Sequence, residues 1–523
     1  MEIKTAIAGL MGFIAYLLAM RYNLHMFQLN GYKNIEHINR MKKNMRMQWV
    51  LYYGMALGLV CVFLPCLVTD ILLFAHLALI AVVYNAIRHM SVKKKLVYTA
   101  RVKRLIVTNT LLAVTIPLLA GAFAGLKYVN GTILFVVGAQ VIMPVLANLV
   151  NHPLEWAVKQ HFINDAKRKL KSVPGLKIIG VTGSYGKTSV KFYLKTLLSA
   201  KYNVLCTPES YNTPMGVVKT IRESLKPTDE IFICEMGARH VGDIKEICNI
   251  VHPHHGVITS IGPQHLETFF NMDNIKKTKF ELGDALPEDG LLFLNGDNEY
   301  IKEKAPAYKN TVFFHAASSK GNGKGYFAKD VALTEYGTEF TVVAPSGEEE
   351  RFAMKLIGGH NVINVVGAIA VANTFGISLS DLKIPVRRIE SVAHRMQMRN
   401  HGNVTIIDDA YNSNPTGSKA AVETLAMFKG LRILVTPGMV ELGSKEADFN
   451  RQFGVYAAEC CDYILLVGKK RTLPIYEGAK SKGFDEKKLL QFDKLEEALN
   501  YAYSIKGQEH KYILLENDLP DNY

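Results

Sequence analysis

Five apolar stretches, at about Ile3 to Met20, Trp49 to Val68, Ile71 to Ile87, Leu105 to Leu126 and Thr132 to Val150, crowd the first 150 residues of this 523-residue chain. Each is close to the roughly 17 to 25 residues that cross a bilayer as a helix, so residues 1–150 are expected to form a helical membrane domain of about five spans. Charge points the same way. Residues 1–150 hold 15 Lys and Arg against Glu2, Glu36 and Asp70, a net of +12, so of the chain's +14 the other 373 residues supply only +2. Basic charge gathered beside apolar spans points to anionic lipid headgroups as its partner and away from nucleic acid.

The connections between the spans sort by charge. The segment from Arg21 to Gln48 has six Lys or Arg and that from Arg88 to Arg104 has seven, whereas the other two connections offer only Lys127 and the N-terminal tip only Lys4. By the positive-inside rule the N-terminus faces out, and everything after Val150 faces the cytoplasm of a multi-pass protein of the cell membrane. No small-residue cleavage site precedes Arg21 and four more spans follow, so the first stretch reads as a retained anchor rather than a signal peptide. Tyr32, Ile35, Ile38, Met41 and Met45 recur at helical spacing beside basic residues. They suit an interfacial helix or the amphipathic continuation of a membrane helix.

The seven cysteines (Cys61, Cys66, Cys206, Cys234, Cys248, Cys460 and Cys461) contain no C-x-x-C and read as reduced apolar fillers. The cluster His252-Pro253-His254-His255 looks metal-like, but its place in a Pro-containing turn favours a solvated loop.

After Val150 short β-rich runs alternate with helical stretches, the pattern of α/β layers. The runs are Lys177 to Val181, Asn203 to Cys206, Ile231 to Cys234, Gly256 to Ile261, Leu291 to Leu294, Val404 to Ile407, Arg432 to Val435, Tyr463 to Val467 and Tyr512 to Leu515. Alternating polarity between Tyr326 and Leu356 predicts antiparallel hairpins instead. The first run leads into Gly183-Ser184-Tyr185-Gly186-Lys187-Thr188-Ser189 and then a helix. Glycines let backbone N–H groups close around phosphate oxygens, the helix N-terminus adds partial positive charge, Lys187 meets the outer phosphates, and the Thr188 hydroxyl can ligate Mg²⁺. The strict G-x-x-x-x-G-K-[ST] form needs Gly at position 181, where Val181 stands.

That departure is informative, because T-G-x-x-G-K-[ST] with Gly180 ahead of it resembles the loop of the Mur ligases, ATP-dependent amide-forming enzymes of peptidoglycan precursor synthesis. Other pieces resemble the same family in the same order: Glu235-Met236-Gly237-Ala238, Gln264-His265-Leu266-Glu267, Lys279-Phe280-Glu281-Leu282, Asn295-Gly296-Asp297-Asn298 and Gly359-His360-Asn361-Val362-Ile363-Asn364. His394-Arg395-Met396, Asp408-Asp409-Ala410-Tyr411-Asn412-Ser413-Asn414-Pro415 and Gly438-Met439-Val440-Glu441-Leu442-Gly443 complete the series. The last two are most similar to the dipeptide-adding branch of the family. The resemblance covers about Ile178 to Gly468.

The resemblance implies a P-loop ATPase domain (residues 175–393), reached through a linker (151–174), and a Rossmann-like C-terminal domain (394–523). It implies ATP and two Mg²⁺ ions as cofactors, Glu235 and Thr188 on the first metal, His265 on the second, and Lys279 as a carbamylated lysine turned carboxylate-like by CO₂. It also implies Asn364 at adenine, Asp409 at the ribose hydroxyls and Arg395 at the phosphates, with Gly183, Gly186, Lys187 and Ser189 in the phosphate loop. The residues alone leave plainer alternatives: an edge carboxylate paired with lysine for Glu235, a loop histidine for His265, a solvated charge for Lys279, a packing amide for Asn364, and turn residues for Asp409, Tyr411, Asn412 and Asn414.

Two departures bear on substrate. Family members carry an N-terminal domain for a UDP-sugar, and here membrane spans occupy its place. The chain also ends Leu515-Glu516-Asn517-Asp518 and onward, where the dipeptide-adding branch has a Lys-Gly-Ser-Arg-like turn; this acidic tail touches a different incoming group or is a frayed end. The expected function is a membrane-anchored ligase adding an amino acid or dipeptide to a UDP-linked or lipid-linked cell-wall precursor. A ligase for another membrane polymer such as a poly-amino-acid is the alternative, as is an ATP-gated transporter or scaffold. The nearly uncharged span interiors favour anchoring over transport.

Overall fold

The computed structural model describes all residues except 1, 44, 64–66, 89–94, 210, 317–324, 335–336, 412, 508 and 519–523. Cys66, Lys93, Lys94, Asn412, the last five residues and the Met45 side chain therefore lie outside the described residues. The chain divides into two compact units, Met1–His161 and Phe162–Pro520.

The first unit is helical: α1 (Glu2–Leu29), α2 (Asn34–Lys43), α3 (Met45–Phe63), α4 (Leu67–Arg88), α5 (Ala100–Ala124), α6 (Val129–Gly138) and α7 (Met143–Lys171). Among the described residues three helices are long and apolar enough to cross a membrane: Ala6–Leu29, Asp70–Arg88 and Ala100–Ala124. The expected span Thr132 to Val150 is instead broken. Leu126–Val141 and Met143–Lys171 form a pair bent by 78°, a fourth span if the pair counts as one. Pro144, in the first turn of α7, explains the break: it has no N–H to bond to the preceding turn and its ring crowds the carbonyl of Gln140, four residues back. The apolar helix in the second expected span, Gln48–Phe63, is shorter than the other candidates. Two expected connections also differ: α1 runs through Arg21 to Leu29, and most of the expected linker 151–174 is the end of α7.

Small residues let α3 and α6 approach closely. A Cβ on Gly58 would stand 2.4 Å from Phe135 N, and one on Gly138 2.2 Å from Met55 N. Close backbone approach of this kind is how helices associate where no water drives them together. Polar groups in the bundle bond to one another: Tyr16 OH to Thr110 Oγ1 at 2.8 Å, and Asn109 and Gln140 exchange amide bonds of 3.3 and 3.2 Å. On α2 the exposed Ile35 and buried Met41 mark opposite faces.

The second unit holds two sheets. The first has the order β2-β3-β1-β4-β5-β6-β7-β8-β9. Its strands are β1 (Lys177–Thr182), β2 (Val204–Cys206), β3 (Ile231–Glu235), β4 (His255–Ile258), β5 (Leu292–Asn295), β6 (Thr311–His315), β7 (Tyr326–Thr334), β8 (Gly337–Val343) and β9 (Glu349–Met354). From β2 to β7 the pairing is parallel, and β7–β8–β9 is the expected antiparallel part. Both β1 and β3 are buried apolar runs, as strands covered on two faces must be. Connecting helices are α8 (Lys187–Leu198), α9 (Pro214–Ser224), α10 (Asp243–Val251), α11 (Leu266–Phe269), α12 (Met272–Asp284), α13 (Glu299–Lys304), α14 (Gly359–Thr374) and α15 (Lys383–Arg387). α14 carries fully buried Val365, Val366 and Ile369, each contributing about 1.5–3 kcal/mol of burial.

Because β1 has β3 on one side and β4 on the other, the chain leaves it in both directions, opening a crevice at the carboxyl edge of the sheet. The second sheet, ordered β10-β11-β15-β12-β13-β14, comprises β10 (Gln397–His401), β11 (Val404–Asp409), β12 (Leu431–Thr436), β13 (Tyr463–Val467), β14 (Leu489–Phe492) and β15 (Lys511–Glu516). Only β10 pairs antiparallel there.

The His252–His255 segment is not a solvated loop. His254 Nδ1 accepts from Ile178 N at 3.0 Å, and His255, the first residue of β4, accepts from Leu291 N at 3.1 Å. These rings serve the sheet edge. Among the described residues, Cys61, Cys206, Cys234, Cys248, Cys460 and Cys461 form no disulfide.

Candidate functional site

The loop between β1 and α8 is built for close approach. Gly183 has φ 153° and a Cβ there would stand 2.1 Å from Thr259 Oγ1, while Gly186 has φ 78° and no side chain caps the helix it opens. The first N–H groups of α8 are thus left to an external anion. Ser184 N donates to Ser260 O at 2.7 Å, Tyr185 N to Ser260 Oγ at 2.9 Å, and Ser184 Oγ to Gly262 O at 3.0 Å. The loop is thereby fastened to the segment that leads to His265.

Lys187 folds back onto the loop, donating to Gly183 O at 2.6 Å and Ser184 O at 3.1 Å. Burial pushes its ammonium down to about 8, with Glu235 opposing the shift and Arg395 adding to it. Thr188 Oγ1 donates to Glu235 Oε1 at 3.1 Å, and Ser189 is buried in the same helical turn. Asn364 on α14 lies against the loop's last glycine: a Cβ on Gly186 would be 2.8 Å from Asn364 Oδ1.

Glu235 ends β3, 1 % exposed, and Asn212 Nδ2 also donates to its Oε1 at 3.1 Å. Its Oε2 has no aligned hydrogen-bond donor but sits 2.9 Å from Lys191 Nζ. Burial would raise this carboxyl, yet Lys191, Lys187 and Asn212 hold it below the usual carboxylate range. A buried, ionised carboxylate with an oxygen free of hydrogen bonds, next to a threonine hydroxyl at a phosphate loop, fits Mg²⁺, which takes one or two protein ligands and completes its shell with phosphates and water. Among the described residues no group of three or more His, Cys, Asp and Glu is gathered into a metal cage.

His265 (φ 53°) is bonded through Nδ1 to Glu441 Oε2 at 2.5 Å, and Arg239 Nη1 donates to the other Glu441 oxygen at 3.2 Å. Burial lowers the imidazole despite the Glu441 bond, and that bond with Arg239 holds Glu441 below its usual range against the effect of burial. With Nδ1 engaged by a carboxylate, Nε2 is the nitrogen offered to a metal. Lys279 is buried where the neighbouring lysines are not. Lys276 is ion-paired with Asp273 and Glu303 at 3.0 Å each and Lys277 is exposed, whereas Lys279 is 2 % exposed inside α12. Burial, and then the charge of Lys187, pushes Lys279 far below the ordinary lysine range.

Arg395 stands between His394 (φ 58°) and Met396 (φ 50°), two strained backbone positions that aim it outward, and its guanidinium lies 4.5 Å over the Tyr411 ring. Asp409 ends β11 and accepts from Met396 N at 3.1 Å. Burial raises it to about 6 against the pull of Arg395. Thr188, Tyr193, Arg395 and Tyr411 line one cleft of about 790 Å³, a size suited to a nucleotide-like ligand.

Four side chains with no role in the sequence reading join the site: Lys191, Asn212, Glu441 and Glu516. Lys191 carried a signal, since four residues after Lys187 it shares that helix face. Glu516, at the start of the acidic tail, terminates β15 at 1 % exposure, accepts from Ser413 Oγ at 2.6 Å through Oε1, and leaves Oε2 without a hydrogen-bond partner, while residues 519–523 lie outside the described residues. Burial, with the charge of Asp409, pushes it up to about 8.

Comparisons with known proteins agree with this geometry. Residues 181–372 match the Mur ligase middle domain and residues 394–516 the Mur ligase, glutamate ligase domain. The chain is 32% identical over 315 residues to the UDP-N-acetylmuramoyl-tripeptide--D-alanyl-D-alanine ligase of Bacillus subtilis, covering 58% of this chain and 65% of that protein. With the Escherichia coli ligase of the same name it is 30% identical over 335 residues, covering 62% of this chain and 73% of the relative. Among solved structures, MurF from Acinetobacter baumannii superposes with TM-score 0.63 at 27% identity, covering 69% of this chain and 77% of that one. MurF from Thermotoga maritima in complex with ADP gives 0.61 at 26%, covering 69% and 80%.

Proposed function

This chain belongs to the Mur ligase family of ATP-dependent amide-bond-forming enzymes, and on that premise we propose that it is a membrane-anchored ligase joining an amino acid or dipeptide to a cell-wall precursor. The observation that carries the reading is the Thr188–Glu235 pair at the head of α8, with the carboxylate buried, ionised and backed by lysine.

In this reading Gly183, Gly186, Lys187 and Ser189 hold the ATP phosphates, and Arg395 reaches them with forked donors. Asn364 contacts adenine, and the ionised Asp409 accepts from the ribose hydroxyls. Thr188 and Glu235 hold one Mg²⁺, His265 the second, and Lys279 bears a carbamate. A buried, neutral amine is the form of lysine that adds to CO₂, and the apolar setting of Lys279 supplies it. Mg²⁺, when bound, neutralises the charge of the phosphates. The acceptor carboxylate attacks the γ-phosphate and ADP leaves; the amine nitrogen then displaces phosphate from the acyl phosphate, losing a proton as the amide closes.

The apolar helices of residues 1–161 support a membrane location and a lipid-linked acceptor in place of a UDP-linked one. The nearly uncharged interiors of the apolar stretches favour anchoring over an ATP-gated transporter. With the N-terminus outside, any odd number of crossings puts the active site in the cytoplasm, and keeping both basic connections inside takes five, so the bent pair and the shorter Gln48–Phe63 helix would each have to cross as well.

The test is turnover in nanodiscs with ATP, D-alanyl-D-alanine and either acceptor. Lys187→Ala and Glu235→Gln should each lower ADP release by about 10³-fold or more with the circular dichroism unchanged. Unaltered turnover in both overturns the site, and extension of UDP-linked acceptor alone reduces the helices to an anchor.

A further inference from the structure

Lys191 is a lysine with no exposed surface, one turn after Lys187 on α8. A charge buried this completely persists only where it is paired. Two groups pair it. Its Nζ lies 2.9 Å from Glu235 Oε2, and it donates to the carbonyl oxygen of Glu209, a residue held at φ 38°. The Phe192 ring, 4.4 Å away, closes the ammonium's third side.

Glu209 belongs to the loop of residues 207–213 between β2 and α9, and that loop brackets Glu235. Thr207 Oγ1 accepts from Glu235 N at 3.1 Å, Asn212 Nδ2 donates to Glu235 Oε1 at 3.1 Å, and Gly237 N donates to Asn212 O at 2.8 Å. Lys191 therefore touches both the carboxylate facing Thr188 and the backbone at Glu209.

We infer that Lys191 is a positioning residue of the nucleotide site: its ammonium is the built-in counter-ion of Glu235, which a divalent cation must contend with on arrival, and its bond to Glu209 keeps the 207–213 loop registered on that carboxylate. The inference rests on the ligase reading, in which Glu235 receives the metal. Two like charges compete for one oxygen, so losing the ammonium strengthens the pull of Glu235 on a cation while freeing the loop.

Magnesium alone, without nucleotide, is the probe. In calorimetric titration of the full-length protein, Lys191→Met should bind Mg²⁺ at least about tenfold more tightly than the native chain. Turnover at saturating Mg²⁺ should nevertheless fall at least about tenfold, and Lys191→Arg should restore much of it. A folded Lys191→Met protein with unchanged or weaker Mg²⁺ binding overturns the inference, because a merely structural lysine predicts that result. Should this variant not fold, the native protein decides: with Mg²⁺ and a non-hydrolysable ATP analogue bound, a crystal structure should show Lys191 Nζ withdrawn from Glu235 Oε2 yet still on Glu209 O. An ammonium unmoved on Oε2 overturns it. Native protein that binds no magnesium-nucleotide at all removes the ligase reading and this inference together; native binding with no Lys191 effect removes the inference alone.

Discussion

Glu235 and Glu516 occupy equivalent places, each the last residue of a parallel strand inside a sheet and each 1 % exposed, yet they are driven in opposite directions. Lys191 and Lys187 hold Glu235 below the usual carboxylate range, whereas Glu516, with Asp409 beside it, is pushed up to about 8. The strand register Asp409↔Glu516 sets two acids side by side, while Val181↔Glu235 sets an acid against an apolar neighbour and leaves room for lysines from α8. Burial is common to both. The charge of the neighbours decides whether a strand-end carboxyl is ready for a cation or holds a proton and serves as a hydrogen-bonding group.

Replacing the lysines on the first edge is the strongest way to break this contrast. Lys279→Ala should lower turnover about a hundredfold, and exclusion of CO₂ should reproduce part of that loss in the native protein only. Equal sensitivity of the variant to CO₂ removal would count against a carbamate. A smaller effect is expected at Asp409, whose carboxyl must ionise to accept from hydroxyl groups. Native affinity for ATP should rise about tenfold as pH goes from 5 to 7, through the value near 6 held by Asp409, and Asp409→Asn should flatten that profile. Smallest is the stability change at Glu516. Its folded value is raised, so its contribution is present below the unfolded value near 4.5 and is lost as pH climbs through about 8. Glu516→Gln should therefore gain on the native chain in melting temperature as pH rises from 4 to 9, part of the gain being present by pH 6 and all of it by pH 9. A larger difference at pH 6 than at pH 9 would reverse the assignment.

Local chemistry made the first edge legible from the residues. The turn glycines, the lysine and hydroxyl heading α8, and the acid closing an apolar strand each follow from what a phosphate loop requires, and nine of the fifteen strands are short β-rich runs in the sequence. Long-range pairing was not legible. Glu441 is 176 residues from His265, and Lys191 becomes a partner of Glu235 only because β3 lies beside β1. β10 has no apolar run, and β6 and β14 offer only the brief runs Val312-Phe313-Phe314 and Leu489-Leu490 in partly buried strands. In the membrane-like part three of the expected stretches are long apolar helices, and the last differs because hydropathy counts apolar residues but is blind to Pro144, so a bent helix pair read as one straight span.

The bond between His265 and Glu441 joins a residue following β4 of the first sheet to one following β12 of the second. Any motion that draws those two sheets apart must give up this bond, and the imidazole then loses the carboxylate that fixes its tautomer and tilt. The arrangement works as an interlock: the ring is aimed only while both halves of the unit are in register, so a half-assembled site lacks a properly oriented histidine.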